Sequence, residues 1–266
     1  RPDELGAFRN LVAKPNGIIL VTGPTGSGKT TTLYSVLMEA NSVDVKIITT
    51  EDPVEYDLEG VIQVQVQEEI GLTFADCLRS ILRQDPDKIL VGEVRDLETA
   101  QIAVESSLTG HIVYSTLHTN DAPSSVTRIL DLGLEPFLIA ATLEGVIAQR
   151  LARRICLNCK TPYDPTEQEL YELELTATET QGREFYFGKG CKSCNGTGYK
   201  GRVALFEMMI VNDRLRDLIM NSASTAELRS AAREDGMRTL RDSGLLHIYD
   251  GISTIEEVVR ETISTV

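Results

Sequence analysis

Gly23-Pro24-Thr25-Gly26-Ser27-Gly28-Lys29-Thr30 carries the spacing G-x-x-x-x-G-K-[ST]. An apolar run, Ile18-Ile19-Leu20-Val21, precedes it and a segment of helical character, Thr31 to Asn41, follows, so the stretch reads as strand, loop and helix. In that frame the backbone N–H groups of the loop and helix start point at one anion. Glycines let the backbone curl without a Cβ clash. Gly23 to Thr31 are therefore the candidates to hold a nucleotide's phosphates, with Lys29 reaching the β- and γ-phosphates and the Thr30 hydroxyl ligating Mg2+.

A phosphate cradle that hydrolyses also needs a carboxylate near the metal and a group that aims a water. The apolar run Lys88-Ile89-Leu90-Val91 leads into Gly92-Glu93-Val94-Arg95-Asp96, which puts Glu93 at a strand end, where the acid on the Mg2+ side belongs. Another run, Lys46 to Thr50, leads into Glu51-Asp52-Pro53-Val54-Glu55. Carboxylates so crowded repel one another unless a cation or a water network shares their charge. On the residues alone, Glu51 is a candidate to polarise the water, and Glu55 or Asp52 to orient it or to hold magnesium. His111 and His118 bracket a further apolar run, and from a regular strand their side chains leave on opposite faces, so they do not pair on one ion. His118, at the C-terminal end, can donate to a γ-phosphate and report its presence. His247 reads as structural.

Cys156-Leu157-Asn158-Cys159 and Cys191-Lys192-Ser193-Cys194 are two C-x-x-C knuckles. Thiolates on two such turns converge on one tetrahedral ion and close a structural Zn2+ site. The long intervening segment predicts a helical excursion between Pro162 and Phe187, with Thr166 capping Glu167 to Leu173. Cys77 reads as a small core residue.

Val- and Ile-rich runs alternate with helical spacing from Gly17 to Leu117. That alternation predicts an α/β fold with a mostly parallel sheet covered on both faces. Val61 to Gln67 alternates strictly and predicts a half-exposed strand near an edge. Helices are expected over Thr73 to Gln84, Glu98 to Leu108, Ala122 to Leu132 and Phe137 to Arg153. Four short amphipathic helices follow the cysteine region: Asp213 to Asn221, Thr225 to Glu234, Arg238 to Tyr249 and Ile255 to Ile263, with Ser224 and Ser253 or Thr254 as caps. The expected division is a core over 1–150, a tetracysteine module over 151–201 and a helical subdomain over 202–266.

With 42% apolar and 25% charged residues, the 266-residue chain has the composition of a globular protein with a sizeable core. The balance of 26 basic against 40 acidic residues, net −14, repels phosphate backbones, and the absence of tryptophan leaves few stacking platforms. Both argue against a nucleic-acid translocase. There is no apolar run of bilayer-spanning length. A start at Arg1-Pro2-Asp3-Glu4 instead of Met reads as a piece of a longer chain.

Four motifs together resemble the secretion-type hexameric ATPases that drive type IV pilus assembly and type II secretion, over essentially the whole chain. They are the Gly23–Thr30 loop; Thr50-Glu51-Asp52-Pro53-Val54-Glu55, similar to that family's Asp box; Leu90 to Ala100, similar to its atypical Walker B; and Gly110-His111 through Ser115-Thr116-Leu117-His118-Thr119-Asn120, similar to its His box. The resemblance implies a RecA-like P-loop NTPase core, followed by a zinc-binding tetracysteine module and a C-terminal helical subdomain. It implies ATP, Mg2+ and structural Zn2+ as cofactors, Glu51 as general base, Glu93 beside magnesium, and His111 and His118 as phosphate sensors. It further implies a homo-hexamer in the cytoplasm, held peripherally at the inner membrane by a platform protein, without nucleic acid. An N-terminal domain of the same or a neighbouring chain would supply arginines to the site; Arg79, Arg83 and Arg95 are the basic residues near it here. The cysteines resemble the zinc module that retraction motors lack. Gly198 to Arg202 and Leu205 to Met209 lean toward the pilus assembly branch, with the type II secretion ATPase as the alternative.

Overall fold

β-Branched and leucine-rich runs become the central strands of the fold, and the computed structural model describes residues 2–176 and 178–263. Arg1 and residues 264–266, the outer ends of the first and last expected domains, lie outside the described residues. The order begins α1 (Pro2–Val12), β1 (Gly17–Thr22), α2 (Lys29–Ala40), β2 (Ile47–Glu51), β3 (Ile62–Gln65), α3 (Phe74–Ile81), β4 (Lys88–Val91), α4 (Leu97–Leu108), β5 (Ile112–Leu117), α5 (Ala122–Asp131) and α6 (Pro136–Thr142). It continues β6 (Leu143–Ile155), β7 (Lys160–Tyr163), α7 (Glu167–Glu172), β8 (Phe185–Gly188), β9 (Tyr199–Ile210), α8 (Asp213–Met220), α9 (Thr225–Glu234), α10 (Leu240–Tyr249) and α11 (Ile255–Thr262).

The main sheet has the order β3-β2-β4-β5-β1-β6-β9. β1 pairs in parallel with β5 and with β6, β2 with β3 and β4, and β4 with β5. Every residue of β1, β2 and β5 is buried, as expected of parallel strands covered on both faces. β3 is one of the two edge strands of this sheet and is exposed or half-exposed throughout, as its alternating pattern predicts. No described helix is long and apolar enough to cross a membrane.

One expectation is corrected. The helix predicted over Phe137 to Arg153 stops at Thr142, and Leu143 opens the 13-residue strand β6. Leucine, alanine, arginine and glutamate in this stretch favour helix locally, but pairing with β1 overrides that weak preference. Gly145 is needed there: a Cβ would lie 2.8 Å from a Leu11 methyl and 3.1 Å from the Met209 carbonyl oxygen. Helix α1, the β7–β8 antiparallel pair and strand β9 were not anticipated.

The chain forms two compact units, residues 1–148 with 208–237, and residues 149–207 with 238–266. In the second unit, Leu173, Phe185, Ile248, Ile255, Val258 and Val259 make a buried core. Thr166 caps α7 through a capping box, as expected, although the helix ends at Glu172. Glu257 is fully buried there. Its carboxylate accepts from the Arg153 backbone N–H at 2.9 Å and pairs with Arg260 at 2.7 Å and with the Arg153 guanidinium. Burial opposes the charged form, but the Arg153 hydrogen bonds and the Arg260 charge outweigh it and hold the carboxyl below its usual range.

A carboxyl lowered on folding stabilises the native state above its unfolded pKa, and that contribution is lost as pH falls through the lower folded value. Glu257→Gln is therefore expected to destabilise the protein by about 1–3 kcal/mol at pH 7 and by progressively less as the solution is acidified below about pH 4. Urea denaturation at several pH values checks this.

Candidate nucleotide site and metal centre

Parallel pairing brings the C-terminal ends of β1, β2, β4 and β5 to one edge of the sheet, where open α/β sheets bind ligands. The Gly23–Thr30 loop leaves β1 there and runs into α2. Gly23, Gly26 and Gly28 all have positive φ, 148°, 80° and 88°, so the backbone turns in ways that disfavour side chains. Ser27 is buried, Gly28, Lys29 and Thr30 are half-buried, and Thr25, Gly26 and Thr31 face outward. Lys29 Nζ donates to the carbonyl oxygens of Gly23 at 2.8 Å and Pro24 at 3.1 Å, which folds the ammonium over the loop.

Thr22, the last residue of β1, fixes this loop against the segment after β5. Its hydroxyl lies 2.7 Å from Thr119 Oγ1 and 3.1 Å from the Leu117 carbonyl oxygen, and it accepts the Thr119 N–H at 2.8 Å. His118 is held between these anchors. Its Nε2 stands 3.4 Å from Glu93 Oε1, while Arg95 Nε donates to Glu93 Oε2 at 2.8 Å and Arg95 Nη1 reaches Asp52 at 3.3 Å. Gly92 lets these pieces approach, since a Cβ there would lie 3.1 Å from the Thr50 carbonyl oxygen and 3.2 Å from Glu51 Cα. Further along, Asp121 caps α5 through the Ser124 N–H at 2.8 Å and receives Arg229 of α9 at 2.6 Å.

Glu51 ends β2 and is only 4% exposed. Oε1 accepts from the Thr49 hydroxyl at 2.6 Å and from Gln63 Nε2 at 3.1 Å, and Oε2 accepts from the Tyr34 hydroxyl. Asp52 and Glu55 are exposed. Of the acids the sequence left open, then, Glu51 is built into the protein, Asp52 belongs to the Arg95 pair, and Glu55 contributes its backbone N–H to Tyr34 Oη at 3.3 Å.

The structure does not bring His111 to this group. It precedes β5, at the N-terminal ends of the strands, where Nδ1 lies 2.9 Å from the Ser106 carbonyl oxygen and 3.2 Å from Thr109 Oγ1. A six-residue strand of about 3.3 Å per residue separates it from His118. Arg79 pairs with Asp76 at 3.4 Å and with Glu98. Sequence reasoning missed Thr22, Tyr34 and Gln63. Tyr34 lies within the helical segment after the loop and Gln63 within the alternating edge segment, and neither carries a local sign of a carboxylate partner.

In the second unit the four cysteine Sγ atoms all lie within 4.8 Å of one another. Separations of 3.7 Å for Cys191–Cys194, 3.8 Å for Cys156–Cys191 and 3.9 Å for Cys159–Cys194 are close to the edge of a tetrahedron with metal–sulfur bonds of about 2.3 Å. All five cysteines of the chain are free thiols, so no disulfide competes. Burial disfavours the Cys194 thiolate, but the N–H groups of Cys191 and Gly198, at 3.2 and 3.3 Å, prevail and hold its thiol at about 6. The donor set fits a soft or borderline metal ion.

The sequence of a family described as "Type II/IV secretion system protein" matches residues 1–260. The type IV pilus assembly ATPase PilB of Myxococcus xanthus is 52% identical over 259 residues, 97% of this chain and 46% of that protein. Type II secretion system protein E of Xanthomonas campestris pv. campestris is 49% identical over 260 residues, 98% of this chain and 46% of that protein. Among solved structures, the pilus retraction motor PilT with bound ADP matches with a TM-score of 0.73 at 31% identity, over 97% of this chain and 65% of that one. The chain thus spans less than half the length of these curated relatives.

Thr22→Val keeps the shape of β1 and leaves the Thr119 N–H without its acceptor. It is expected to cost about 1–3 kcal/mol of stability, read by urea denaturation.

Proposed function

The chain belongs to the type II/IV secretion system protein family, and from that membership we propose that it is the ATP-hydrolysing part of a motor subunit that powers type IV pilus assembly. The single observation that carries this reading is the convergence of the phosphate loop with Glu51, Glu93 and His118 at one sheet edge. In this reading Gly23 to Thr31 bind the phosphates, and Thr30 and Glu93 would hold Mg2+, which would supply positive charge against the phosphates. Glu51 takes the proton of the attacking water as its oxygen bonds to the γ-phosphorus, and the bond to the leaving ADP breaks with its electrons. His118 donates to the γ-phosphate. His111 has no part in this chemistry within one subunit.

The subunit works in a homo-hexamer, in the cytoplasm, docked to an inner-membrane platform protein. The rest of a longer protein, from its own or a neighbouring chain, completes the site with arginines. The net charge of −14 supports a protein partner over nucleic acid. A type II secretion ATPase is the second reading, favoured by the 49% identity to protein E. Zn2+ is the metal for the four cysteines, since a closed thiolate tetrahedron is its usual structural site.

In the full-length protein, Lys29→Ala and Glu93→Ala are each expected to lower ATP turnover by about 100-fold or more and to stop fibre growth. Normal fibre assembly by either variant would sink the motor reading. Elemental analysis of the folded protein is expected to find zinc, and Cys191→Ser to lose it together with thermal stability.

A further inference from the structure

Tyr34 is the fifth residue beyond Lys29 on the same helix, α2, so the helix that starts at the phosphates also carries this phenol. Its ring is 1% exposed and stands edge-on against Tyr56, with centroids 4.8 Å apart. The hydroxyl donates to Glu51 Oε2 and accepts from the Glu55 N–H and from Gln63 Nε2, both at 3.3 Å. Gln63 is itself fixed: Nε2 also donates to Glu51 at 3.1 Å and to the Tyr56 carbonyl oxygen at 3.2 Å, and Oε1 accepts the Leu58 N–H at 2.7 Å. That pattern allows one orientation of the amide, because reversing it would set donor against donor at Leu58.

Glu51 thus receives Thr49, Gln63 and Tyr34, and a carboxylate offers about four lone-pair directions. One direction is left for a water. The phenol remains a donor at neutral pH, since burial and then its bond to Glu51 push it far above its ordinary range. Resting on the reading of Glu51 as the base, we infer that Tyr34 is a positioning residue for hydrolysis: it ties the phosphate-binding helix to the Glu51 carboxylate and aims that carboxylate's remaining lone pair. A tie of this kind makes the direction of the base depend on where α2 sits, and α2 sits where its N-terminus holds the phosphates.

The test is a double-mutant cycle on ATP turnover by the full-length protein with Tyr34→Phe and Glu51→Gln. Tyr34→Phe keeps the ring and its packing. It is expected to lower kcat about 10-fold, the scale of a misaimed catalytic group, with KM for ATP within about twofold and the thermal midpoint nearly unchanged. In the Glu51→Gln background the same change is expected to have no further effect on kcat. A kcat for Tyr34→Phe within twofold of the parent, a loss expressed mainly in KM, or an equal loss in both backgrounds would each overturn the inference. Glu51→Gln alone examines the underlying reading separately, because turnover retained by that variant removes Glu51 as the base whatever Tyr34 does.

Discussion

Parallel pairing of β1 with its neighbours is the constraint on which the site depends. Thr22 and Thr119 lie 97 residues apart in the chain and meet only because β1 and β5 end in register. The same holds for Gly92, whose N–H bonds the Thr50 carbonyl oxygen at 2.7 Å where β4 and β2 end together. A slip of one residue would turn Thr49 and Glu51 to the other face. Glu51 would then lose Gln63 and Tyr34 and leave a buried carboxylate short of donors, a cost that opposes the slip.

Two buried carboxylates show how differently one cost can be met. Glu257 is neutralised by Arg153 and Arg260, so its charge is cancelled where it sits and the result is a rigid joint within its own unit. Glu51 is satisfied by a hydroxyl, an amide and a phenol, none of which carries charge. Its hydrogen-bonding needs are largely met while its negative charge is not cancelled by these neighbours. A group held in that way differs from Glu257 in having no cation among its hydrogen-bond partners. Glu93 lies between the two, tied to Arg95 and facing His118 at a partly open strand end.

Much of this was legible in the sequence because it was written in local patterns. The phosphate loop, the strand-end acids, the edge strand and the two cysteine knuckles each announce themselves within a few residues. Strand β6 did not, since its residues suit a helix and only the vacancy beside β1 makes them extended. Tyr34 and Gln63 were invisible for a related reason. A tyrosine within a helix and a glutamine on an alternating strand carry no local sign of a shared carboxylate, which exists only once α2, β2 and β3 have been assembled. His111 illustrates the converse: it lies near His118 in a recognisable motif, yet a strand runs between them.

The first unit is discontinuous in the chain, because residues 208–237 belong to it although residues 149–207 do not. On a ribosome, the Gly23–Thr30 loop, Glu51, Glu93 and His118 all emerge before the four clustered cysteines, whereas Arg229, the partner of the Asp121 cap, emerges after them. At typical synthesis rates the intervening residues 149–207 take about 3–12 s to appear. During that interval the end of strand β9 and helices α8 and α9, which complete the first unit, have still to be made. The order of translation therefore delivers the β1, β2, β4 and β5 strand ends early and the Arg229 brace of the Asp121 cap late.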